Sequence, residues 1–385
     1  MPTTIIAAVL HPHRRQVLVH DAMPTSLPTA RLDTAHWHAD HGPLVEAISA
    51  VVGRPLRLLR RLGQQVERDP TDDDALTTRR LVFLAELEPD AWQPGDPGRA
   101  VSVAAGEASH GGWAWADLDQ LGRLEDPWLR STLQALAPGL GVLPSPALRP
   151  PWAVERSRYW AELGDWVKRS LATVGRQATG PLRPVKVWCL AAVYRQETDG
   201  GPVYVKVAAP APPLFVDEAA VTLALARLFP RQLPRVLAAL PGPGWLLLED
   251  EGATLWAEGP SAEAVERDRS LRLARAHADL QVAGAGHVDA LLAAGCVDRR
   301  LERLAAAVAP LLDDPLTARV LGVERSVRLK AAQGEIYRAI DRYAALDLPA
   351  SLVHGDLHLG NVLWRGEDPI IIDWTDACVG PPMVD

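Results

Sequence analysis

The chain has 385 residues, which is enough for two or three domains that each bury a core of their own. Its formal net charge of -8 disfavours general binding to nucleic acid or anionic lipid, because such binding depends on a positive field that meets phosphates. No run approaches the roughly 20 consecutive apolar residues that span a bilayer, and the amino terminus lacks the pattern of a secretory signal. We therefore expect a globular, cytoplasmic protein that binds neither nucleic acid nor membrane.

The first 135 residues have the pattern of a small α/β domain. Two neighbouring apolar segments predict a hairpin, Thr4–Leu10 and Gln16–His20, and a third, Arg80–Leu87, predicts a further strand. Apolar residues at helical spacing predict one helix over Leu44–Val52 and a closing helix over Trp113–Leu121.

A linker follows this domain. Residues 136–151 contain five prolines and two glycines, which is too many for the interior of a helix or strand. Beyond them, tryptophans and aliphatic residues at helical spacing predict an amphipathic helix over Trp152–Val174 that leads into a second domain.

The second domain begins with strands and continues mainly as helices. Strands are predicted over Val185–Arg195, Val203–Val207 and Trp245–Glu249, with a helix over Asp217–Phe229 between the last two. From Ser261 onward the composition is helical, apart from short strands around Leu352 and Ile370.

The residues that indicate chemistry lie around those two last strands. One apolar strand leads to Asp356, Asn361 follows five residues later, and a second apolar strand ends at Asp373. Phosphoryl transfer needs such a set, namely a carboxylate beside the attacking hydroxyl and hard oxygen ligands for the magnesium that neutralises phosphate charge. The joint spacing of the three residues favours this function over ordinary turn chemistry.

The wording of these motifs resembles a known family. The run from His354 to Asn361, His-Gly-Asp-Leu-His-Leu-Gly-Asn, and the later Ile372-Asp-Trp374 resemble the aminoglycoside phosphotransferase family of kinase-like enzymes. Gly355 stands where the protein-kinase loop has arginine. The resemblance covers about residues 180–385 and implies an α+β, protein-kinase-like fold with two lobes, residues 152–250 and 251–385.

The resemblance also implies residues that hold the nucleotide. Lys206, one of four lysines in the chain, would hold the phosphates, and Glu218 on the next helix would fix that lysine, with Asp217 as the competing choice. Main-chain groups of the segment formed by Glu249, Asp250 and Glu251 would pair with an adenine edge.

The resemblance implies an ATP-dependent enzyme, with GTP as a second possible donor, that moves the γ-phosphoryl group to a hydroxyl of a small molecule. Asp356 would act on the acceptor hydroxyl, while Asn361 and Asp373 would hold Mg²⁺. In the family, further helices follow the position of the run Gly380–Asp385, so the second lobe is expected to be incomplete. The acceptor and the oligomeric state are not determined by the sequence.

Two other functions are compatible with the sequence. The first is a catalytically inactive, nucleotide-binding pseudokinase or regulatory module. The second is a metal-dependent hydrolase in which His354 and His358, two residues on either side of Asp356, bind zinc. The hydrolase hypothesis leaves Asn361 and Asp373 without a role.

Residues 1–135 have a weaker similarity to the Nudix fold. Nudix enzymes need a cluster of glutamates on one helix to bind divalent metals, whereas the predicted helix over Leu44–Val52 contains only Glu46. We therefore expect a Nudix-like domain without pyrophosphohydrolase activity.

Overall fold

The computed structural model describes ten stretches of the chain, residues 3–11, 16–20, 26–32, 42–69, 72–87, 112–134, 156–187, 190–208, 215–254 and 263–385. The chain forms two compact units. Unit 1 comprises residues 1–211 with 245–247, and unit 2 comprises residues 212–244 with 248–385. The predicted linker, residues 136–151, lies outside the described residues, and the predicted domain boundaries stay predictions.

Unit 1 begins with a six-stranded mixed sheet in the order β4-β5-β1-β2-β6, with β3 paired to β1. The predicted hairpin is confirmed, because β1 and β2 pair antiparallel, whereas β1 and β5 run parallel. The elements are β1 Thr3–Leu10, β2 Gln16–His20, β3 Thr29–Leu32, α1 Gly42–Val52, β4 Leu56–Asp69, β5 Asp72–Leu87, β6 Trp113–Asp117 and α2 Pro127–Gln134.

Both faces of this sheet are covered. Successive side chains of a strand point to opposite faces. On β1, Ile5 and Ala7 pack in the cluster that contains Leu44 and Ile48 of α1. Their neighbour Ile6 packs in a second cluster, which includes Leu129 and Leu133 of α2 as well as Ala8 and Leu10. Unit 1 therefore contains a mixed sheet with a helix on each face, whereas the predicted domain over residues 1–135 and its resemblance to the Nudix fold stay predictions.

The helix predicted over Trp113–Leu121 is wrong. Trp113–Asp117 is a strand paired with β2, with Trp115 opposite Leu18, and a short 3-10 helix follows it over Leu118–Arg123. Trp115 and both alanines of the strand are buried, so apolar side chains occupy both of its faces. Without polar residues on one face, the segment lacks the alternation by which a half-buried strand is recognised.

Unit 1 continues with the predicted lead-in helix, α3 Arg156–Thr173, and with the antiparallel strands β7 Arg183–Val187, β8 Ala191–Gln196 and β9 Val203–Ala208. The single apolar run predicted over Val185–Arg195 is thus two strands. Residues 245–247 of β11, Trp245–Glu249, extend this sheet beside β9.

Aromatic contacts join α3 to its neighbours within unit 1. The ring of Trp160 lies 4.8 Å from that of Tyr194 on β8, and Trp166 lies 5.6 Å from Trp245. The Arg57 guanidinium of β4 stacks over Trp160, 4.2 Å from the ring centroid. Helix α3 therefore packs against the sheet that contains β8 as well as against the amino-terminal sheet.

Unit 2 contains one buried cluster that includes Val221, Leu280, Leu352, Ile371 and Trp374. Apart from β10, its complete strands form a three-stranded sheet, β12-β16-β13, and the hairpin β14-β15. The elements are α4 Glu218–Leu228, β10 Val236–Leu240, α5 Glu263–Gly284, α6 Val288–Ala293, β12 Val297–Asp298, α7 Leu301–Asp313, α8 Pro315–Leu321, α9 Val323–Ala331, α10 Gln333–Ala344, β13 Ser351–Val353, β14 Val362–Arg365, β15 Asp368–Ile371 and β16 Cys378–Gly380. The mixed α+β composition that was predicted is confirmed. Among the described residues, no helix is long and apolar enough to cross a membrane.

Candidate active site

The predicted catalytic loop begins where β13 ends. The three residues of β13 are buried and pair antiparallel with β16, with Val353 opposite Cys378. The loop residues His354, Gly355 and Asp356 follow at once. Because both strands lie in the core, the start of this loop has a fixed position in unit 2.

His354 connects the two predicted motifs. Its side chain is fully buried, its Nδ1 atom accepts the N–H of Asp356 at 3.2 Å, and its Nε2 atom lies 2.9 Å from the carbonyl oxygen of Ile372. Since Nδ1 is an acceptor, Nε2 must donate, which defines a neutral tautomer. Burial lowers the pKa of His354, against the opposite pull of the Ile372 carbonyl and the charges of Asp385 and Asp373. His354 therefore joins the loop that contains Asp356 to the residue before Asp373.

These contacts leave no ring nitrogen of His354 for zinc. Both nitrogens already bond to protein groups, and the ring packs against Trp374 at 4.5 Å. Within the described stretches, no group of three or more His, Cys, Asp or Glu side chains is placed to hold a metal ion. The geometry of His354 therefore does not support the hydrolase hypothesis.

Asn361 lies against Asp356, as the spacing predicts. Its Nδ2 atom donates to the Asp356 carbonyl oxygen at 2.9 Å and lies 3.4 Å from the Oδ2 atom of that carboxylate. The carbonyl oxygen of Asn361 accepts the N–H of Ile372 at 2.9 Å. With Nδ2 directed to Asp356, the amide oxygen Oδ1 receives no hydrogen bond from any described residue, and such an oxygen suits a hard cation.

Asp373 has a strained backbone. Its φ and ψ of 68° and 61° lie in the left-handed region, which non-glycine residues occupy at a cost of about 1–3 kcal/mol. Thr375 donates its hydroxyl to Asp373 Oδ1 at 2.8 Å, which holds the side chain within the turn. Strain of this kind is commonly retained at functional sites, because there it places a particular side chain.

Gly355 shows why arginine is replaced at this position of the loop. Its φ of +86° favours glycine, and a Cβ atom built on it would lie 2.8 Å from the carbonyl oxygen of Asp376 and 2.9 Å from the Cβ of Asp376. The catalytic loop thus packs directly on the turn that follows Asp373, and a side chain at residue 355 has no room.

Asp376 is an acidic residue of the site that the sequence analysis missed. Burial raises its pKa, and the nearby charges of Asp356 and Asp373 raise it further, whereas Arg299 and His354 oppose the rise. Asp376 therefore lies close enough to Asp356 and Asp373 for both of their charges to act on its carboxyl group. The only sequence signal that could have indicated Asp376 is its position three residues after Asp373.

Asp385 is a second residue that the sequence analysis missed. Its carboxylate accepts the N–H of His354 at 2.6 Å and that of Gly355 at 2.7 Å, and the buried His277 Nε2 of α5 lies 3.0 Å away. Burial of the Asp385 carboxyl raises its pKa, but the contact with His277 and the hydrogen bonds from the N–H groups of His354 and Gly355 outweigh this and leave the pKa below its usual value. Asp385 therefore fixes the backbone at the start of the catalytic loop.

The residues predicted to hold phosphates lie in different units. Lys206 is in β9 of unit 1 and is 8% exposed, whereas Glu218 opens α4 of unit 2 and is 2% exposed. Asp217, the competing choice, caps α4, because its Oδ1 atom accepts the N–H groups of Ala219 and Ala220. This capping role favours Glu218 as the partner of Lys206, but the pairing itself stays a prediction.

The segment predicted to meet the adenine edge follows β11. The Glu249 N–H donates to the Arg235 carbonyl at 3.0 Å, so this donor faces β10. Asp250 accepts the N–H of Gly252 at 3.0 Å, and the Glu251 side chain is buried. Contacts of these three residues with a nucleotide stay predictions.

Comparison with known families identifies this arrangement. The model of the phosphotransferase enzyme family matches residues 183–385, which is more than half of the chain and includes the His354–Asn361 and Ile372–Trp374 motifs. The chain belongs to the phosphotransferase enzyme family. The enzyme class predicted from the sequence, a small-molecule phosphotransferase, is confirmed at this level. No curated protein has a significant match to the chain.

Solved structures similar to this phosphotransferase include a type I macrolide 2'-phosphotransferase, at 21% identity over 58% of this chain and 74% of that chain, with a TM-score of 0.40. Macrolide 2'-phosphotransferase MphH from Brachybacterium faecium has 20% identity over 57% and 75%, also with a TM-score of 0.40. An aminoglycoside phosphotransferase, APH(4)-Ia, whose structure contains ADP and hygromycin B, has 15% identity over 57% and 72%, with a TM-score of 0.37. Because these TM-scores are below 0.5, the family assignment rests on the match over residues 183–385.

The contact between the two loops predicts a large effect of Gly355→Ala. The variant must adopt a left-handed backbone, at about 1–2 kcal/mol, and must also displace Asp376, at about 1–3 kcal/mol. Gly366→Ala is the matched control, because Gly366 also has a positive φ of 64° but has no atom within 4 Å of the added carbon. Urea unfolding should show a clearly larger loss for Gly355→Ala, and equal losses would contradict the close packing.

The buried Asp385 predicts a pH-dependent loss of stability in Asp385→Asn. At pH 7 the variant should lose about 1.5–3 kcal/mol, because charged hydrogen bonds are removed from a buried site. The folded-state pKa of Asp385 is lowered, so its contribution is present above the unfolded value of 3.8 and decreases as the pH falls below it. The difference between wild type and variant should therefore narrow towards pH 3.5. Asp313→Asn, which breaks the exposed pair with Lys330, should change stability by at most about 1 kcal/mol at either pH.

Proposed function

We propose that this phosphotransferase moves the γ-phosphoryl group of ATP or GTP to a hydroxyl group of a small molecule. The observation that carries the proposal is the convergence of Asp356, Asn361 and Asp373 through the contacts of His354 and Asn361. These are the carboxylate and the hard oxygen ligands that phosphoryl transfer requires. Turn chemistry within either loop does not explain this convergence, because His354 and Asn361 join the loop before the β14–β15 hairpin to the residues that follow it.

Asp356 is the group that acts on the acceptor. Its backbone N–H is fixed by His354 and its carbonyl oxygen by Asn361, and its exposed carboxylate, which Asn361 Nδ2 approaches at 3.4 Å, is accessible to an acceptor. A carboxylate in this position accepts a hydrogen bond from the acceptor hydroxyl and orients its oxygen for attack on the γ-phosphorus. It receives the hydroxyl proton as the new P–O bond forms and the bond from the γ-phosphorus to the bridging oxygen breaks, which releases the nucleoside diphosphate.

Asn361 and Asp373 fit a magnesium ion by the chemistry of their donor atoms. Asn361 offers an amide oxygen that no described residue uses, and Asp373 offers a carboxylate on a strained turn. Magnesium prefers oxygen ligands of this type, and when bound it neutralises negative charge on the phosphates. The charges of Asp356 and Asp373 both raise the pKa of Asp376, and this local excess of negative charge supports the binding of a cation.

Lys206 and Glu218 complete the proposed nucleotide site. Lys206 would contact the phosphates, and Glu218 would hold its ammonium group. The start of α4 has a fixed relation to the metal-binding turn, because the N–H of Val216 donates to the Thr375 carbonyl at 3.1 Å. The main chain of residues 249–251 would receive the base.

Nucleotide binding provides the first test. Isothermal titration with ATP should show binding that requires magnesium and that is strongly weakened by Asp373→Ala, because one of the two protein ligands is lost. Asp368→Ala is the matched control, since Asp368 is an exposed carboxylate on the same hairpin. ATP binding that is equally tight with and without magnesium, or an equal loss of ATP affinity in both variants, would contradict the assignment of Asp373 as a magnesium ligand.

Transfer provides the second test. Asp356→Ala should reduce the rate of phosphate transfer about 10²–10⁴-fold in a screen of hydroxylated small molecules, since general-base contributions have this size. Nucleotide binding should be largely unchanged, because Asp356 faces the acceptor in this proposal. Magnesium-dependent nucleotide binding by the wild type without transfer to any compound would favour the pseudokinase alternative instead.

A further inference from the structure

Glu251 has a role that the main-chain prediction did not include. Its side chain is 4% exposed, and its Oε1 atom accepts the N–H of Arg235 at 2.8 Å. Its Oε2 atom accepts from Arg365 Nε at 2.8 Å and also from the Nη2 atom of that guanidinium. The carboxylate is thus buried and bonded through both oxygens, to the start of β10 and to the end of β14.

The next residues lie directly along β14. A Cβ atom at Gly252, whose φ is +100°, would lie 2.5 Å from the Trp364 carbonyl oxygen, so the two backbones are in close contact. The N–H of Trp364 donates to the Ala253 carbonyl at 3.2 Å. Thr254 forms an antiparallel bridge with Leu363. Four successive residues, 251–254, therefore contact one strand.

That strand also leads to the metal-binding residues. β14 begins immediately after Asn361, and its partner β15 ends with Ile371 opposite Val362, two residues before Asp373. The end of the hairpin near Arg365 contacts the proposed base-binding segment, and the other end carries both proposed magnesium ligands. Because the hydrogen bonds of the hairpin define its register, the position of one end is fixed relative to the other end.

We propose that Glu251 and Arg365 are positioning residues that hold the base-binding segment in register with the magnesium-binding residues through the β14–β15 hairpin. The inference rests on the proposed nucleotide site. In this proposal the Glu251–Arg365 pair affects the binding of the nucleotide base, whereas Lys206, Asn361 and Asp373 bind the triphosphate.

The alternative is an ion pair that only stabilises the fold. Removing the ion pair would then lower the unfolding temperature and would reduce the affinity of the site for all of its ligands to a similar degree. The positioning role makes a different prediction. Loss of the ion pair should weaken the binding of a ligand that contains a base and should leave the binding of a ligand without a base unchanged. Comparing ATP with inorganic tripolyphosphate, each with magnesium, separates the two roles.

The experiment measures the dissociation constants of both ligands for the full chain and for three variants, Glu251→Gln, Arg365→Gln and Glu367→Gln. Glu367 is the control, because it lies in the turn of the same hairpin, is 81% exposed and pairs with Arg272 instead of the base-binding segment. Glu251→Gln and Arg365→Gln should raise the dissociation constant for ATP about tenfold or more, which equals about 1.4 kcal/mol. The constant for tripolyphosphate, and both constants for Glu367→Gln, should stay near the wild-type values.

Each other outcome overturns the inference in a recognisable way. Unchanged ATP binding in both variants, or equal weakening of ATP and tripolyphosphate, would show that the pair does not position the base. Arg365→Gln remains decisive if Glu251→Gln does not fold, because Arg365 is half exposed, and failure of both variants to fold would assign the pair to the fold alone. If the wild type binds neither ligand, the proposed function fails together with the inference, and this result differs from all the others.

Discussion

The site depends on the neutral, buried imidazole of His354. This ring bonds to the backbone on either side of the site, at Asp356 and at Ile372, and it packs against Trp374. A protonated ring could not accept the Asp356 N–H, so the contact requires the neutral form that burial favours. One side chain therefore joins the loop that contains Asp356 to the turn that contains Asp373.

Two further contacts, with Asp385 and with Asp376, hold the loop that contains Asp356. Asp385 binds the first two N–H groups of the loop, and Gly355 packs on Asp376 without space for a side chain. A buried carboxylate that accepts hydrogen bonds from backbone N–H groups is a strong constraint, because charged hydrogen bonds are about twice as strong as neutral ones. The flexible residue types in the loop, glycine above all, are thus held by their surroundings instead of by their own preferences.

The nucleotide side of the proposed site is organised by backbone contacts. Residues 251–254 follow β14, α4 is tied to the turn after Asp373 through Val216, and Asp217 caps the same helix. These contacts converge on the hairpin β14–β15 and on the turn that follows it. Metal ligands and base-binding groups are then parts of one framework within unit 2, which is what positioning of a triphosphate requires.

The sequence by itself determined the family of the chain and predicted the residues of its site. The spacing of Asp356, Asn361 and Asp373 between two apolar strands supported both, because strand ends and loop lengths are local properties that residue patterns encode. The strand Trp245–Glu249 and a helix over Asp217–Phe229 were also predicted, and the structure has them at Trp245–Glu249 and Glu218–Leu228.

Only the tertiary structure decided the rest. Trp113–Asp117 is a strand because β2 lies beside it and helices cover both faces of its sheet, and no local signal contains that information. Asp376 and Asp385 enter the site through contacts with Gly355 and His354, and Glu251 contacts Arg365 across 114 residues of sequence. Such partners are brought together by the packing of β13 against β16 and of the hairpin in the core, so their roles cannot be read from spacing along the chain.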